Sequence, residues 1–361
     1  MNPRRDLRLL QLLVGEPHGG AERFFVKLAV ALKEAGIRQK LVIKSDAARF
    51  RELAFHGCDV VCLPFGSGFS DLSARWRLRG IVREFRPTVA MAWMNRAARR
   101  MPSGPFVKVA RLGGYYPLRF YRRFDWIVCN TPDLVVHAQN EGWPPRRLRM
   151  ISNFGQLPPT APVKRSDLAT PDDAFVMLAS GRLDPTKGFD VAIGALAAVP
   201  GAILWLAGAG KHEEALRHHA ASLGLSDKVR FLGWRDDQAA LLAACDVCVV
   251  PSRHEPLSNV IVEAWSQKVA VVATASEGPS WLLAEGRGGL LVPVDDVGAL
   301  ARAVNRVRLE LDLKNRLITE GHTKWRESFS RDVIVDTYIR FFEEAMAAEG
   351  AYSVNSGLTG P

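Results

Sequence analysis

Glu255 and Glu263, with seven residues between them, are the groups in this 361-residue chain whose setting most clearly suggests chemistry. Upstream of them Cys245–Val250 is a short apolar run, the pattern of a buried parallel strand. Pro256 suits a helix entrance and Ser258 is a good N-cap, so Glu255 falls in the strand-to-helix loop and Glu263 on the helix. Asn259 and Glu263 are four apart, which sets that carboxylate on one face with the first turn. There the free N–H groups around Ser258, Asn259 and Val260 attract anions. A helix mouth that holds phosphate, with one carboxylate before it and one a turn behind, can grip both ends of a nucleotide-sugar.

Two cations join them. Arg182 and Lys187 lie in Ser180-Gly181-Arg182-Leu183-Asp184-Pro185-Thr186-Lys187-Gly188, after an apolar run at Phe175–Ala179. Strand ends on this side are where open α/β sheets bind ligands. The Asp-Pro turn allows the loop to fold both cations toward one point. Arginine offers a planar fork and lysine a mobile point charge, a suitable pair for the charge that develops on a departing diphosphate. Leu206-Ala207-Gly208-Ala209-Gly210 ends another strand with two glycines, so that backbone can approach a ligand closely. Beside these cations Glu255 and Glu263 read as hydroxyl-binding clamps that flank a diphosphate, rather than as an acid–base pair.

The elements that must hold these groups alternate along the whole chain. Strand patterns fall at Leu9–Val14, Lys40–Lys44, Val60–Leu63, Val89–Trp93, Val107–Arg111 and Trp126–Cys129. A glycine turn, Gly15 to Gly20, leads from the first of them into an amphipathic helix over about Ala21–Ala35. Pro158–Pro162 is proline-rich and unpatterned, a linker. A second series follows at Phe175–Ala179, Ala202–Ala207, Val229–Leu232, Val247–Val250, Val269–Ala273 and Gly289–Val292. Alternation of this kind predicts α/β architecture with parallel sheets and crossover helices. We therefore expect two Rossmann-like domains facing each other across a cleft, at 1–160 and 161–330. An amphipathic helix follows at Asp332–Ala348, and then a small, polar, unstructured tail from Gly350 to Pro361.

Taken together these motifs resemble the retaining glycosyltransferases of family four, which have the GT-B fold. The Glu255/Glu263 stretch is similar to their E-x7-E signature, and Gly181–Gly188 to the G-R-L-x-x-x-K-G motif that binds the donor diphosphate. The resemblance implies catalytic roles for Arg182, Lys187 and Glu255. It implies donor contacts at Gly19, Gly20, Gly181, Gly208, Gly210, Phe231, Leu232, Ser258, Asn259, Val260 and Glu263. The terminal helix is expected to cross back onto the first domain. Arg111-Leu112-Gly113-Gly114-Tyr115-Tyr116 and Asp125–Thr131 resemble a subgroup that handles lipopolysaccharide and related envelope glycans. Many members carry a histidine near the acceptor in this region; here Tyr115 and Tyr116 occupy the neighbourhood. The family usually has glycine at Ser258, glycine and proline at Lys268 and Ala270, and glutamate at Trp281. Trp281 thus sets an apolar plate where a carboxylate is common, a change that bears on the donor sugar more than on the reaction.

The resemblance further implies a metal-independent reaction that retains the anomeric configuration. No Asp-x-Asp occurs in the chain, the motif by which metal-dependent transferases of another fold hold their diphosphate. The expected donor is a UDP-, GDP- or ADP-sugar, with no further cofactor. Three competitors stand beside this reading. A non-hydrolysing sugar-nucleotide epimerase shares the fold. A nicotinamide oxidoreductase needs G-x-G-x-x-G after the first strand, which Gly15 to Gly20 does not supply. A non-catalytic partner subunit or degenerate transferase is the third.

Charge is unevenly spread. Residues 1–165 hold 29 Lys+Arg against 12 Asp+Glu, a balance of +17, while the remainder carries −7. A basic half joined to an acidic half predicts a face that meets an anionic partner. Nucleic acid would explain the basic half but leave the second domain without a role. A glycolipid or glycan acceptor on an anionic membrane explains both, with peripheral contact to the inner membrane through the first domain. Leu9–Val14 is too short for a signal-peptide core or a membrane span, and five cysteines with no export signal predict a reducing, cytoplasmic setting. Cys245 and Cys248 lie inside a strand pattern with no second pair, so neither metal nor redox use is expected.

Overall fold

The computed structural model describes residues 6–16 and 19–356 and divides the chain into two compact units. Met1–Asn153 and Arg331–Pro361 form the first, and Phe154–Ser330 the second. The division falls a few residues ahead of Pro158–Pro162, which lies in the second unit.

The first unit is built on a seven-stranded sheet ordered β3-β2-β1-β4-β5-β6-β7. Its strands are β1 (Arg8–Leu13), β2 (Arg38–Lys44), β3 (Val60–Leu63), β4 (Val89–Trp93), β5 (Val107–Leu112), β6 (Trp126–Cys129) and β7 (Leu148–Met150). Every pair is parallel. Runs such as Leu9–Leu13 and Val89–Trp93 are buried throughout, as a sheet covered on both faces requires. The three-residue β7, Leu-Arg-Met, has too short a pattern to be read from sequence. The helix after β1 spans Gly20–Glu34, one residue ahead of the expected Ala21–Ala35.

The second unit holds a six-stranded parallel sheet, β10-β9-β8-β11-β12-β13. Its strands are β8 (Phe175–Ser180), β9 (Ala202–Ala207), β10 (Val229–Gly233), β11 (Val247–Val250), β12 (Val271–Thr274) and β13 (Leu290–Val292). Strand order reverses between β1 and β4 in one unit and between β8 and β11 in the other. At such a point the loops leaving two neighbouring strands part in opposite directions and open a crevice.

The terminal helix runs Arg331–Ser356, past the expected end at Ala348 and into the segment read as an unstructured tail; residues 357–361 lie outside the described residues. It belongs to the first unit through Tyr338, Phe341 and Phe342, all fully buried. Phe341 meets Trp126 edge-on at 5.6 Å, and the Tyr338 hydroxyl accepts from Arg111 Nε at 3.0 Å.

Lys268, where the resembling family has glycine, takes φ +58°, a left-handed conformation that carries a Cβ penalty. Trp265 supplies a packing constraint in the same region. It is 1% exposed and donates Nε1 to Gly288 O at 2.7 Å. A Cβ on Gly321, from the Leu311–Lys324 helix, would lie 2.3 Å from its Cδ1. Gly321→Ala should therefore overpack this site and cost about 1–3 kcal/mol, despite alanine's better helix propensity. Calorimetric unfolding measures it, and an unchanged or raised melting temperature would contradict the packing argument.

Candidate functional site

In the second unit, the loops after β8 and β11 are stitched together by backbone. Arg253 N donates to Thr186 O at 2.8 Å, and His254 N reaches the same oxygen at 3.3 Å. Gly188 sits under this seam at φ +63°, and a Cβ there would come within 2.0 Å of Pro251 O. Arg253 pins the seam from outside. Its fork grips Asp190 with N–O distances of 2.9 and 2.6 Å, and it also donates to Pro185 O and Asp295. These contacts bring together two residues from different loops: Lys187 Nζ pairs with Glu255 Oε2, a carboxylate that also accepts from Ser252 Oγ at 3.3 Å.

Behind β9, Gly208 (φ +155°) and Gly210 let a second loop lie flat on the first. A Cβ at Gly208 would be 1.8 Å from Gly181 O, and one at Gly210 would be 2.3 Å from Leu183 O. Gly208 N donates to Gly233 O at 2.7 Å, which draws in the end of β10. There the register slips between Phe231 and Gly233, leaving Leu232 out of the ladder. Phe231 is half-buried under the Arg217 guanidinium, 4.1 Å from the ring centre.

Ser258, Asn259 and Val260 open the Asn259–Ser266 helix, with Glu263 further along it. Ser258 occupies the N-cap position, but its side chain makes no cap hydrogen bond, contrary to expectation. Its Oγ is buried and has no hydrogen-bond partner among the described residues. Glu263 is half-buried and close enough to Cys248 to help burial push that thiol up to about 12. Burial also raises Cys245, which follows the Gln238–Ala244 helix and lies ahead of β11, so only Cys248 of the C-x-x-C is in the strand.

Arg182 and Lys187 have different partners here: Arg182 is 72% exposed and pairs with Asp184 at 3.2 Å, while the Asp184 side chain caps the turn through Thr186 N. Trp281 is half-buried, its ring packing at 5.7 Å against buried Phe329. The carboxylate of that segment is Glu277, which sequence reasoning passed over. Its Oε2 accepts from Glu255 N at 3.0 Å and its Oε1 meets His254 Nδ1 at 2.6 Å. Gly278 closes the contact, donating to Glu255 O at 2.7 Å at a point where a Cβ would strike Leu257 Cα. The signal for Arg253, His254 and Glu277 lay in polar side chains beside the two motifs, but their pairing joins loops far apart in sequence.

In the first unit Gly19 and Gly20 start the Gly20–Glu34 helix; Pro17 and His18 of the same loop lie outside the described residues. Gly19 makes room for Glu22, because a Cβ there would sit 2.2 Å from Oε2. Glu22 Oε1 accepts from Glu16 N at 3.1 Å, and Glu16 in turn pairs with Arg96 after β4. The switch point of this sheet is thus laced by side chains, as that of the second sheet is by backbone. Sequence reading found no histidine near Tyr115 and Tyr116, yet the fold supplies one. His137, from the Pro132–Asn140 helix, stacks edge-on with Tyr115 at 5.4 Å and contacts Tyr116 O at 3.1 Å.

Known proteins share both the sequence and this architecture. Residues 161–324 match the family Glycosyl transferases group 1. The chain is 40% identical over 336 residues to the lipopolysaccharide core biosynthesis glycosyltransferase LpsE of Rhizobium meliloti (strain 1021), covering 89% of this chain and 95% of that one. This chain belongs to the group 1 glycosyltransferases. Its 38% identity to LpsD of the same organism, over 91% of this chain and 96% of that protein, agrees. Anabaena HepE, solved in complex with UDP, superposes with a TM-score of 0.83 at 22% identity, covering 94% of this chain and all of HepE. The glycosyltransferase therefore has the GT-B fold.

Glu277 generates a prediction about pH. Partial burial raises its carboxyl, but backbone N–H donors, including that of Glu255, and the His254 ring outweigh it and hold the group below its usual 4.5. A depressed carboxylate adds stability that is present above the unfolded value and lost as pH falls through the folded one. Melting curves of the glycosyltransferase should therefore lose stability below about pH 4.5, and Glu277→Gln should flatten that loss. Identical acid dependence in wild type and variant would remove Glu277 from the account.

Proposed function

We propose that this glycosyltransferase moves a hexosyl group from a nucleoside-diphosphate sugar to a phosphorylated lipopolysaccharide-core acceptor, with retention of configuration and without a metal ion. The names of LpsE and LpsD support the acceptor class, and HepE, solved with UDP and with UDP-glucose, makes a UDP-sugar the first donor to test. GDP- and ADP-sugars remain the alternatives. The acceptor is carried on a lipid at the inner membrane, and the basic first half of the chain meets that surface. Among the described residues no helix is long and apolar enough to cross a membrane, so the contact proposed is a peripheral one.

One observation carries the reading: the Lys187–Glu255 pair stands where β8 and β11 part, beside a helix mouth with an unpartnered buried Ser258 hydroxyl. In the proposed site Lys187, Arg182 and the N–H groups of Ser258, Asn259 and Val260 neutralise the diphosphate. Gly181, Gly208 and Gly210 leave room for it. Phe231 and Leu232 offer backbone to the base, and Glu263 holds the ribose. Glu255 binds donor-sugar hydroxyls. The acceptor hydroxyl forms the new bond to the anomeric carbon as the bond to the diphosphate oxygen breaks, and its proton passes to that leaving oxygen. No protein nucleophile is needed.

Lys187→Ala should lower kcat by about a hundredfold or more, the scale of removing one preorganised donor at developing charge. Turnover of a panel of nucleotide-sugars with envelope acceptor measures it, and near-normal turnover would exclude the leaving-group role. Glu263→Ala should weaken nucleotide binding in calorimetry while leaving the fold intact; full nucleotide affinity would remove the ribose assignment. The anomeric configuration of the product, read by NMR, decides retention against inversion.

A further inference from the structure

One helix of the first unit has a surface that the donor site does not use. The Gly68–Phe85 helix buries Ala74, Leu78 and Phe85 and packs Ile81 and Val82 against the core. The opposite face carries Phe69, Leu72, Trp76, Arg79 and Arg83, alternately three and four residues apart, so the five form one stripe. Phe69 is 86% exposed, Leu72 64% and Trp76 74%. Three large apolar side chains on one exposed face are an interaction surface rather than scattered surface residues.

The stripe turns basic where it continues. Arg75, Arg79 and Arg83 line a cavity of about 290 Å³ together with Arg99, Arg100 and Arg123. The carboxylate paired there is Asp71, which holds Arg75 at 2.8 Å and Arg100 at 2.6 Å. Six guanidinium groups against one such carboxylate form a local field that suits several phosphates, and the arginine fork suits phosphate geometry.

We propose that the Gly68–Phe85 helix is the element that seats the glycosyltransferase on an anionic phospholipid surface. Phe69, Leu72 and Trp76 enter the boundary between headgroups and acyl chains, and the arginine cavity takes lipid phosphates. This rests on the reading of the acceptor as lipid-borne. The helix is held to the core by its other face, so the stripe is presented without unfolding, as an interfacial helix requires. Tryptophan favours this boundary because its ring is apolar and its N–H needs a wet partner. A second copy of the chain is a poor occupant, since a symmetric contact through this face would bring two arginine clusters together.

Co-sedimentation with vesicles tests the assignment. The full chain should pellet with phosphatidylglycerol-containing vesicles at low salt and not with pure phosphatidylcholine. Phe69→Ser with Trp76→Ser, and separately Arg79→Glu with Arg83→Glu, should each weaken that partition by roughly tenfold or more. Donor-nucleotide binding and the melting temperature should stay at wild-type values in both variants. Partition that neither pair of substitutions changes, or equal binding to phosphatidylcholine, would overturn the proposal. So would loss of vesicle binding to millimolar inorganic phosphate, which would make the cavity a site for free phosphate. If wild type fails to pellet but glycosylates a detergent-solubilised acceptor, the docking surface fails and the transferase reading stands. If it pellets as expected but turns over no donor, the docking surface stands and the transferase reading fails.

Discussion

The closest approaches in the second unit are between backbone and backbone, at the points where strands β8, β9 and β11 end. Gly208 lies so close to Gly181 O that a Cβ would stand 1.8 Å from it, and Gly188 meets Pro251 O at 2.0 Å by the same measure. No side chain could be tolerated at either seam, and both glycines also take positive φ. What these seams accomplish is positional. The loops after two neighbouring strands, on either side of the strand-order reversal, are held against each other, and Lys187 and Glu255 meet although they are far apart in sequence. Arg253 and Asp190 then fix that arrangement with a two-pronged ion pair.

Much of this was legible because the local code is strong. Apolar runs such as Val247–Val250 and Ala202–Ala207 mark parallel strands, and helices between them leave little choice of topology. The positions of Glu255 in a loop and Glu263 on a helix follow from Pro256 and Ser258 in the same way. What was not legible is contact between segments. Glu277 and Glu255 are linked through a backbone N–H, and His137 reaches Tyr115 from the next helix. Neither leaves a periodic trace. Trp281 likewise packs against Phe329, a contact that matching its position to a family pattern does not reveal. β7 failed for a simpler reason, since three residues cannot show an alternation.

The two units solve the same topological problem with different materials. In the first sheet the interior carries polar groups: Trp93 Nε1 donates to Gln11, Gln11 to Gln39, and Gln39 to Ala29 O. Arg111, 1% exposed, lies over the rings of Trp93 and Phe24 and donates to Tyr338 and Asn153. A buried cation of this kind is costly unless its donors are met and its face is covered by aromatic rings. Both conditions draw on the terminal helix and on the last residues before the second unit. Arg111 therefore binds the two ends of the first unit's discontinuous chain to its sheet.

The Lys187–Glu255 pair can be weighed by the same argument. Their side chains are 20% and 13% exposed, so either charge alone would carry a desolvation penalty. Paired, each holds the other in place. A diphosphate offers lysine a partner of higher charge than a carboxylate. In the proposed site, lysine then turns toward the leaving group while Glu255 stays anchored by Ser252 at its side chain and Glu277 at its backbone. The carboxylate released from lysine is an acceptor of the right kind for sugar hydroxyls. On that proposal, one ion pair holds both groups before the donor arrives and divides their tasks afterwards.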